Sequence, residues 1–384
     1  MGNPLPVDGR APIHTFYSPQ SWIEGAATRQ LETVAALPGV KAVAAMPDLH
    51  PGIYGPVGCS ILAGRIHPQL AGSDIGSGMG LFQLDLAVRK FRADKAADRL
   101  RALEGRWNGD TAAACAEAGL AAGPFDDSLG TIGGGNHFCE VQDIEEILLP
   151  EIAAQSGIDR FSTYVLVHSG SRGLGAAILQ QQKIKTGVAA LDPAGDAGRV
   201  YFAEHDAAVR WAALNRRTIA ARAAAALRAE SRAVADLAHN LIERYGGDVL
   251  HRKGTAPADR GLVPIPGSRG TRSYLVEPLA ATQAETLASL AHGAGRKYDR
   301  SSMHGRVRTK KSDLARLGRN PFGGLVVCED RDLLVEEAPE AYKNIDRVIG
   351  DLVAFGLARV VATFRPLVTF KTARARHRER EDRR

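Results

Sequence analysis

The 384-residue sequence has few cysteines, few aromatic residues and no long apolar run. Its four cysteines are scattered and form no CxxC pair, which argues against a disulfide framework and against a structural zinc site. No stretch resembles a secretory signal or a segment of membrane-spanning length. We therefore predict a protein of the reducing cytoplasm that has no membrane partner.

Bulk composition fits a globular protein, with 45% hydrophobic and 24% charged residues. The net charge of +6 favours polyanionic partners such as nucleic acid, although many basic enzymes bind none. No internal repeat or linker divides the chain, and strand and helix signals mix without βα alternation. These features predict one interwoven α+β domain over residues 1–371, followed by a charged, flexible tail over residues 372–384.

Hydrophobic periodicity gives a coarse map of the chain. It predicts helices over 19–36, 88–106 and 345–355, and strands over 55–62, 81–86 and 162–167. Residues 46–52 are typical of a turn-rich polar loop. Residues 202–245 are rich in Ala, Arg and Leu and almost free of Gly and Pro, which predicts a helical pair. His239 and Asn240 would then lie on its last helical stretch.

A glycine-rich segment, GTIGGGNHFCE at 130–140, has several potentially functional side chains close together. Its glycines allow tight turns and close backbone approach to a ligand. An amide, an imidazole and a carboxylate follow within five residues, at Asn136, His137 and Glu140. Such a loop suits a metal ion or a phosphate group. It is equally consistent with an ordinary turn flanked by a polar histidine.

Further imidazoles and a carboxylate lie in unusual settings. Asp74 is surrounded by glycines, His168 ends a predicted strand, and His292 lies among small residues before two cations. Each histidine could instead be a capping or core residue. Together with the Ser/Arg loop at 264–274, they favour a Mn²⁺, Fe²⁺ or Zn²⁺ site beside bound anions. Nucleotidyl transfer and metal-dependent phosphoester hydrolysis both fit, and spacing does not rank them.

Eight ordered motifs over roughly residues 40–371 resemble the RtcB family of RNA-splicing ligases. They are MPDLHPG (46–52), SDIGSGMG (73–80), GTIGGGNHFCE (130–140), VHSGSRGLG (167–175), AHN (238–240), IPGSRGTRSY (265–274), SLAHGAGR (289–296) and EAPEAYKNIDRVI (337–349). The resemblance implies an RtcB-like domain with mixed sheets, peripheral helices and a central cleft for metal and nucleotide.

The resemblance also implies an activity. The family joins RNA 3′-phosphate or 2′,3′-cyclic phosphate ends to 5′-hydroxyl ends, using GTP and one or two Mn²⁺ ions. The family nucleophile corresponds to His292, which would carry GMP as a phosphoramidate. A neutral imidazole is a suitable nucleophile near pH 7. The implied partners are such RNA ends, GTP, and an activating or release-factor-like protein.

Residue roles follow from the matched motifs. The implied metal ligands are His137 and His168 for one ion and Asp74 and His239 for the other, with Ser77 at the bridging position. Glu140 would accept hydrogen bonds from the guanine edge. The implied nucleotide pocket comprises Asn136, His137, Phe138, Cys139, Glu140, His239, Asn240, Pro266, Gly267, Ser268, Arg269, Ser273, His292, Gly293, Ala294, Gly295 and Lys371.

Three features depart from the family pattern. Ser77 replaces the cysteine whose thiolate bridges two metals, and a hydroxyl is a poorer ligand. Arg269 replaces a methionine and is expected near the phosphates. The chain continues for thirteen residues beyond Lys371, whereas the family ends one residue after this lysine. These departures resemble a divergent subgroup. The rival interpretation is a family member without ligation, acting as an RNA-end phosphoesterase or as an RNA- or nucleotide-binding protein.

Overall fold

The computed structural model describes residues 3–5, 9–280, 284–308 and 310–375. Its fold is built on two large β-sheets. Helices cover the sheets from outside, and strands and helices mix along the chain without βα alternation. The predicted α+β class is therefore confirmed. Within the described ranges, no helix is both long and apolar enough to cross a membrane.

The first sheet uses both the beginning and the middle of the chain. Its described strands are β1 (Asn3–Leu5), β2 (Ile13–Thr15), β3 (Val40–His50), β4 (Val57–Ala63), β9 (Asn240–Tyr245) and β10 (Asp248–Lys253). Their spatial order is β1-β2-β3-β4-β10-β9. Strands β2 and β3 are parallel, and the other neighbours are antiparallel.

The second sheet collects the glycine-rich segments at its strand ends. Its described strands are β5 (Gly78–Ala87), β6 (Phe138–Ile147), β7 (Ser162–Ser169), β8 (Ser231–Ala238), β12 (Val263–Pro266), β13 (Ser273–Pro278), β15 (Leu325–Cys328) and β16 (Ala358–Thr372). The order is β12-β13-β16-β6-β7-β5-β8, with β15 parallel to the end of β16. A short ladder, β11 (Thr255–Pro257) with β14 (Ser289–Ala291), lies apart from both sheets.

Helices bury the outer faces of the sheets. Those described are α1 (Gly25–Ala35), α2 (Pro68–Ala71), α3 (Ala93–Leu100), α4 (Thr111–Glu117), α5 (Pro150–Gln155), α6 (Gly173–Thr186), α7 (Asp196–Leu227), α8 (Arg300–Arg306), α9 (Lys311–Leu317), α10 (Arg331–Glu336) and α11 (Ile345–Ala354). The apolar stripe of α1 packs through Leu31 and Val34 onto the first sheet. Helix α11 covers its other face. Helices α3 and α7 cover the second sheet.

Three predicted elements differ from the structure. The helical pair over 202–245 is wrong, because one helix of 32 residues ends at Leu227 and strands β8 and β9 follow. The polar loop over 46–52 is largely strand, since β3 extends to His50. The helix over 88–106 is broken, and α3 covers only its middle. Pairing with β5 and β10 outweighs local helix propensity in residues 231–245.

The predicted boundary after Lys371 remains a prediction. Strand β16 includes both Lys371 and Thr372, and the backbone N–H of Ala373 donates to Glu104 at 2.7 Å. Residues 376–384 of the predicted tail lie outside the described part of the chain.

Candidate active site

A cleft of about 710 Å³ lies where the two sheets meet. The chain passes from the second sheet to the first through a single residue, His239, between β8 and β9. The backbone N–H of His239 donates to the Ser77 carbonyl at 2.7 Å, just before β5. This crossing brings the first sheet against the glycine-rich loops of the second.

Two side chains of helix α7 fix the positions of three of these loops by hydrogen bonds to their backbones. The Asn215 side chain accepts from Gly130 N–H at 2.7 Å and donates to the carbonyl of Gly170 at 3.2 Å. The buried guanidinium of Arg216 donates to the carbonyls of Gly76 at 2.7 Å and Ser169 at 3.1 Å. Helix α7 therefore supports all three segments that carry Asp74, His137 and His168. The sequence predictions did not include this support.

Four side chains from these loops converge at one point. Nε2 of His137 lies 2.9 Å from a carboxylate oxygen of Asp74. The Ser77 hydroxyl oxygen lies 3.5 Å from Nε2 of His137 and 3.3 Å from Nε2 of His168. Nδ1–H of His168 donates to the Asn136 carbonyl at 3.2 Å, which leaves its Nε2 lone pair directed at the cluster.

The imidazoles continue as a chain towards His292. The rings of His168 and His239 lie 5.1 Å apart between centroids, and those of His239 and His292 lie 4.5 Å apart. Burial and the neighbouring imidazoles hold the pKa values of His168 and His239 well below the usual range. Both rings are therefore neutral near pH 7, which is the form that binds a metal ion.

The cluster fits a divalent cation in chemistry and spacing. Neighbouring donors around a small octahedral cation lie about 3 Å apart, close to the separations among Asp74, Ser77, His137 and His168. Nδ1 of His239 and Nδ1 of His137 are buried without a hydrogen-bond partner. Across the described ranges, His, Cys, Asp and Glu side chains alone form no metal-binding group of three.

A carboxylate fixes the orientation of His292. Nδ1 of His292 lies 2.7 Å from a carboxylate oxygen of Asp48, and that oxygen also accepts from the His292 backbone N–H at 3.2 Å. An ionised carboxylate only accepts, so the imidazole proton lies on Nδ1 and the lone pair on Nε2. The buried ammonium of Lys343 donates to the carbonyls of Pro47 and Leu49, on either side of Asp48.

Glu140 lies in a buried hydrogen-bond network on β6. It accepts from Gln142 at 2.7 Å and from the Thr369 hydroxyl. Burial raises the pKa of Glu140 to about 7, against these hydrogen bonds and the charges of Lys371 and Arg269. A carboxylate poised in this way gains stability from any further donor that enters the cleft.

Two buried lysines line the cleft. Burial lowers the pKa of Lys371 to about 8, and its Nζ donates to the His137 carbonyl at 2.9 Å. Burial also lowers the pKa of Lys253 to about 8, and this side chain lies at the end of β10. Lys253 is not among the predicted site residues, and the RKG sequence at 252–254 is the local signal that could have indicated it.

Most of the predicted site residues line the cleft. They are Asp74, Ser77, Asn136, Phe138, Glu140, His168, His239, Asn240, Pro266, Gly267, Ser268, Arg269, His292, Gly293, Ala294, Gly295 and Lys371. His137 lies beneath it, in contact with Asp74 and Ser77.

Two of the predicted pocket residues lie outside the cleft lining. Cys139 alternates with Phe138 and Glu140 along β6 and faces the core beneath α7. Ser273 lies behind Glu140 and accepts from Gln142 at 2.9 Å.

Arg269 acts on the protein rather than on the open cleft. Its guanidinium donates to the carbonyls of Leu334, at 2.8 Å, and Glu337, which end helix α10. Arg269 is among the residues that line the cleft, but its charged group is directed at a helix terminus, so its expected place beside phosphates remains a prediction. Arg296 and Arg300 also line the cleft, and the buried Glu337 carboxylate holds them at 3.1 Å and 3.0 Å.

The oriented histidine, the imidazole–carboxylate cluster and the buried cations around one cleft are side chains suited to phosphate chemistry and to a divalent cation. Comparison with known proteins then identifies the family. The family model described as tRNA-splicing ligase RtcB matches residues 30–108 and 102–372. The chain belongs to the RtcB family.

Individual relatives agree with this assignment. RNA-splicing ligase RtcB2 of Escherichia coli is 43% identical, over 94% of this chain and 96% of that protein. The tRNA-splicing ligase RtcB of Archaeoglobus fulgidus is 28% identical, over 90% of this chain and 91% of that protein. The tRNA-splicing ligase RtcB of Pyrococcus furiosus is 32% identical, over 62% of this chain and 29% of that protein.

Proposed function

We propose that this protein is a GTP- and Mn²⁺-dependent RNA ligase that acts through a guanylylated His292. It would join 2′,3′-cyclic phosphate or 3′-phosphate ends to 5′-hydroxyl ends in RNA repair or tRNA splicing. The observation that carries the proposal is the Asp48–His292 pair, which places a proton on Nδ1 and makes Nε2 the nitrogen that can attack in the neutral ring. Family membership supports the RNA-joining reaction.

The first step would form a phosphorus–nitrogen bond. Nε2 of His292 attacks the α-phosphorus of GTP, the bond to the β-phosphate oxygen breaks, and pyrophosphate leaves. The proton stays on Nδ1, where the Asp48 carboxylate stabilises the positive charge that develops on the ring. Arg296 and Arg300 line the same cleft and supply positive charge to the phosphates.

The next two steps would move GMP and then release it. At a 2′,3′-cyclic phosphate end, water would first attack the phosphorus and the bond to O2′ would break, which leaves a 3′-phosphate and a 2′-hydroxyl. An oxygen of the 3′-phosphate then attacks the bound GMP phosphorus, and the bond to Nε2 breaks. The RNA 5′-hydroxyl oxygen then attacks the activated 3′-phosphorus, loses its proton, and displaces GMP. Glu140 would hold guanine through the ring N–H and amino donors during the first step. Lys253 and Lys371 supply buried positive charge around the phosphates.

Asp74, Ser77, His137, His168 and His239 are the residues that would hold one or two Mn²⁺ ions. A divalent ion at this position would neutralise phosphate charge and polarise phosphoryl oxygens. Without the ion, these residues still fix the three glycine-rich loops around the cleft through direct contacts among themselves. We also propose a cytoplasmic location, which the four free cysteines support.

The test is guanylylation of the purified protein. Incubation with GTP and Mn²⁺ should add the mass of one GMP to the wild type and none to His292→Ala. Asp48→Asn should slow adduct formation by at least a hundredfold while the protein remains folded. No adduct on the folded wild-type protein with any divalent metal would contradict an autonomous ligase.

Ser77 supports one alternative, a family member that processes RNA ends without ligation. Its hydroxyl is a weaker metal ligand than the thiolate of the family pattern. This alternative predicts hydrolysis of 2′,3′-cyclic phosphate ends without GTP and no joined product with GTP. Gel analysis of labelled RNA with and without GTP separates the two. Whether an activating or release-factor-like partner is required is tested by adding candidate proteins to the same assay.

A further inference from the structure

A row of alternating aromatic and cationic side chains lies beside the mouth of the cleft. We call these residues, Trp22, Lys297, Tyr298 and Arg306, the aromatic lip. Lys297 and Tyr298 follow the cleft-lining Arg296 directly in sequence. Their backbone N–H groups donate to the Ala341 carbonyl at 2.8 Å and 3.3 Å, which fixes the segment.

Ring contacts hold the two cations in place. Nζ of Lys297 lies 4.9 Å from the Trp22 ring centroid and 5.2 Å from that of Tyr298. Cζ of Arg306 lies 3.8 Å from the Tyr298 centroid. Such contacts position a cation without neutralising it. Among the described residues, neither Lys297 nor Arg306 pairs with a carboxylate.

Trp22 is anchored yet open to solvent. The preceding turn is tied to helix α11, where Ser18 N–H donates to the Asp351 carboxylate at 3.1 Å and the Ser21 hydroxyl donates to the same oxygen. The Trp22 residue is nevertheless 51% exposed. A fixed and exposed indole offers a planar surface on which a ligand ring can stack.

Residues 296–310, which include three of the four lip residues, contain six Arg or Lys side chains and one carboxylate, Asp299, so the charge of this segment is positive. Beyond Arg306, the exposed side chains of Arg308 and Lys310 extend the same sign. Stacking surfaces interleaved with unneutralised cations match single-stranded nucleic acid, because bases stack on aromatic faces while phosphates contact the cations. A protein partner would instead favour an apolar core with few charges.

We propose that the aromatic lip binds the single-stranded RNA adjoining the end that enters the cleft. One base would stack on Trp22, and the neighbouring phosphates would contact Lys297 and Arg306. This inference rests on the proposed function for its RNA substrate. What it adds is an RNA-binding surface whose residues are not among the proposed nucleotide-binding and metal-binding residues.

The experiment compares RNA binding with guanylylation in the same variants. Trp22→Ala should weaken binding of a fluorescent 3′-phosphorylated single-stranded RNA about tenfold. Arg306→Ala should reduce the slope of log K against log salt by about 0.7. Both variants should form the GMP adduct on His292 as the wild type does.

Matched controls lie at the far end of strand β7. Phe161 is 73% exposed and follows the exposed Arg160, which gives an aromatic and a cation distant from His168. Phe161→Ala and Arg160→Ala should leave RNA binding unchanged. Trp22→Phe should recover most of the affinity, because a phenyl ring also stacks.

An abasic oligonucleotide separates stacking from charge. Trp22→Ala should not affect its binding, whereas Arg306→Ala should weaken it. Unchanged RNA binding in both lip variants, or an equal effect of Trp22→Ala on abasic strands, would overturn the inference. Absence of the adduct in the wild type would count against the proposed function instead, and the RNA-binding comparison would still decide the role of the lip.

Discussion

At the residue scale, Ser77 places an oxygen within 3.5 Å of two imidazole nitrogens, where the family pattern has a sulfur. The hydroxyl donates or accepts hydrogen bonds but remains neutral near pH 7. A thiolate would add both charge and softness. Ser77 should therefore set the affinity and the metal preference of this site.

Ser77→Cys should tighten metal binding. We expect the dissociation constant for Zn²⁺ to fall at least tenfold and that for Mn²⁺ to fall less, because thiolate favours the softer ion. Ser77→Ala, the matched control, should weaken both. Isothermal titration of the GTP-free protein measures these constants, and equal affinities in all three proteins would show that the residue does not contact the ion.

Glu140 should make nucleotide binding depend on pH. Its pKa of about 7 means that the carboxylate acquires a proton as the pH falls below 7. The protonated group loses an acceptor for guanine, so GMP affinity should drop by up to about tenfold per pH unit. Above pH 7 the ionised fraction approaches one, so the affinity should rise and then level off from about pH 8.

Glu140→Gln provides the control for this pH dependence. Its GMP affinity should be low, and should change with pH only as much as the phosphate of GMP itself requires. Binding isotherms between pH 5.5 and 8.5 measure the difference. Parallel profiles for the two proteins would exclude Glu140 as the titrating group.

Sequence motifs named most cleft residues but missed two that act at a distance. Asp48 contacts His292, which lies 244 positions later in the sequence, and Lys343 contacts Pro47, which lies 296 positions earlier. Both residues lie in motifs that the sequence shows. The local sequence does not show, however, that the Asp48 carboxylate orients His292 or that the Lys343 ammonium binds the backbone around Asp48. Arg269 shows the opposite limit, since its motif indicated a residue at the cleft but not that its guanidinium binds the carbonyls of Leu334 and Glu337.

At the element scale, the site depends on where loops meet strand ends. The loop after β7 places Gly170 directly against Asp74. A Cβ on Gly170 would lie 2.1 Å from a carboxylate oxygen of Asp74, too close for both to stay in place. The absence of a side chain at Gly170 thus keeps the Asp74 carboxylate beside His137.

Gly170→Ala should displace Asp74 and weaken metal binding at least tenfold. Gly134→Ala is the matched control, because a Cβ there would meet nothing within 4 Å. Metal titration measures the loss, and thermal unfolding checks that both variants fold. Wild-type metal affinity in folded Gly170→Ala would mean that Asp74 is not a ligand.

The error over residues 202–245 has a physical reason. Helix α7 continues the Ala/Arg/Leu pattern to Leu227, where Arg228 adopts a positive φ of 60° and ends it. Residues 231–245 have similar composition but form the terminal strands of the two sheets, β8 beside β5 and β9 beside β10. The partner of β8 lies more than a hundred residues away in sequence, so a local pattern does not show it, whereas β9 forms a hairpin with the adjacent β10.

At the scale of the whole molecule, stability should depend on buried neutral histidines. Burial lowers the pKa values of His50 and His251 to about 3. Both ring nitrogens of His251 are hydrogen-bonded. Nε2 accepts from the backbone N–H of His67 at 2.9 Å, and Nδ1–H donates to the Ile61 carbonyl at 3.2 Å. These bonds need the neutral ring.

The free energy of unfolding should therefore fall as pH falls below about 6.5. The folded-state pKa lies below the unfolded value, so the unfolded chain takes up protons first and stability is lost progressively towards pH 3. Each such histidine contributes a slope of up to about 1.4 kcal/mol per pH unit. Urea unfolding between pH 7 and 4 measures it.

His251→Gln should have a shallower slope, even if the protein is less stable at pH 7. The same substitution at the exposed His304 should leave the slope unchanged. A slope in His251→Gln identical to that of the wild type would show that this ring does not titrate between the folded and unfolded states.

The position of β16 has a consequence for how the protein is made. Although formed by residues 358–372, it pairs on both sides in the interior of the second sheet, between β13 and β6. It also contributes Lys371 to the cleft. A nascent chain on the ribosome cannot complete this sheet until residues 358–372 have emerged, so the cleft should form later than the rest of the sheet.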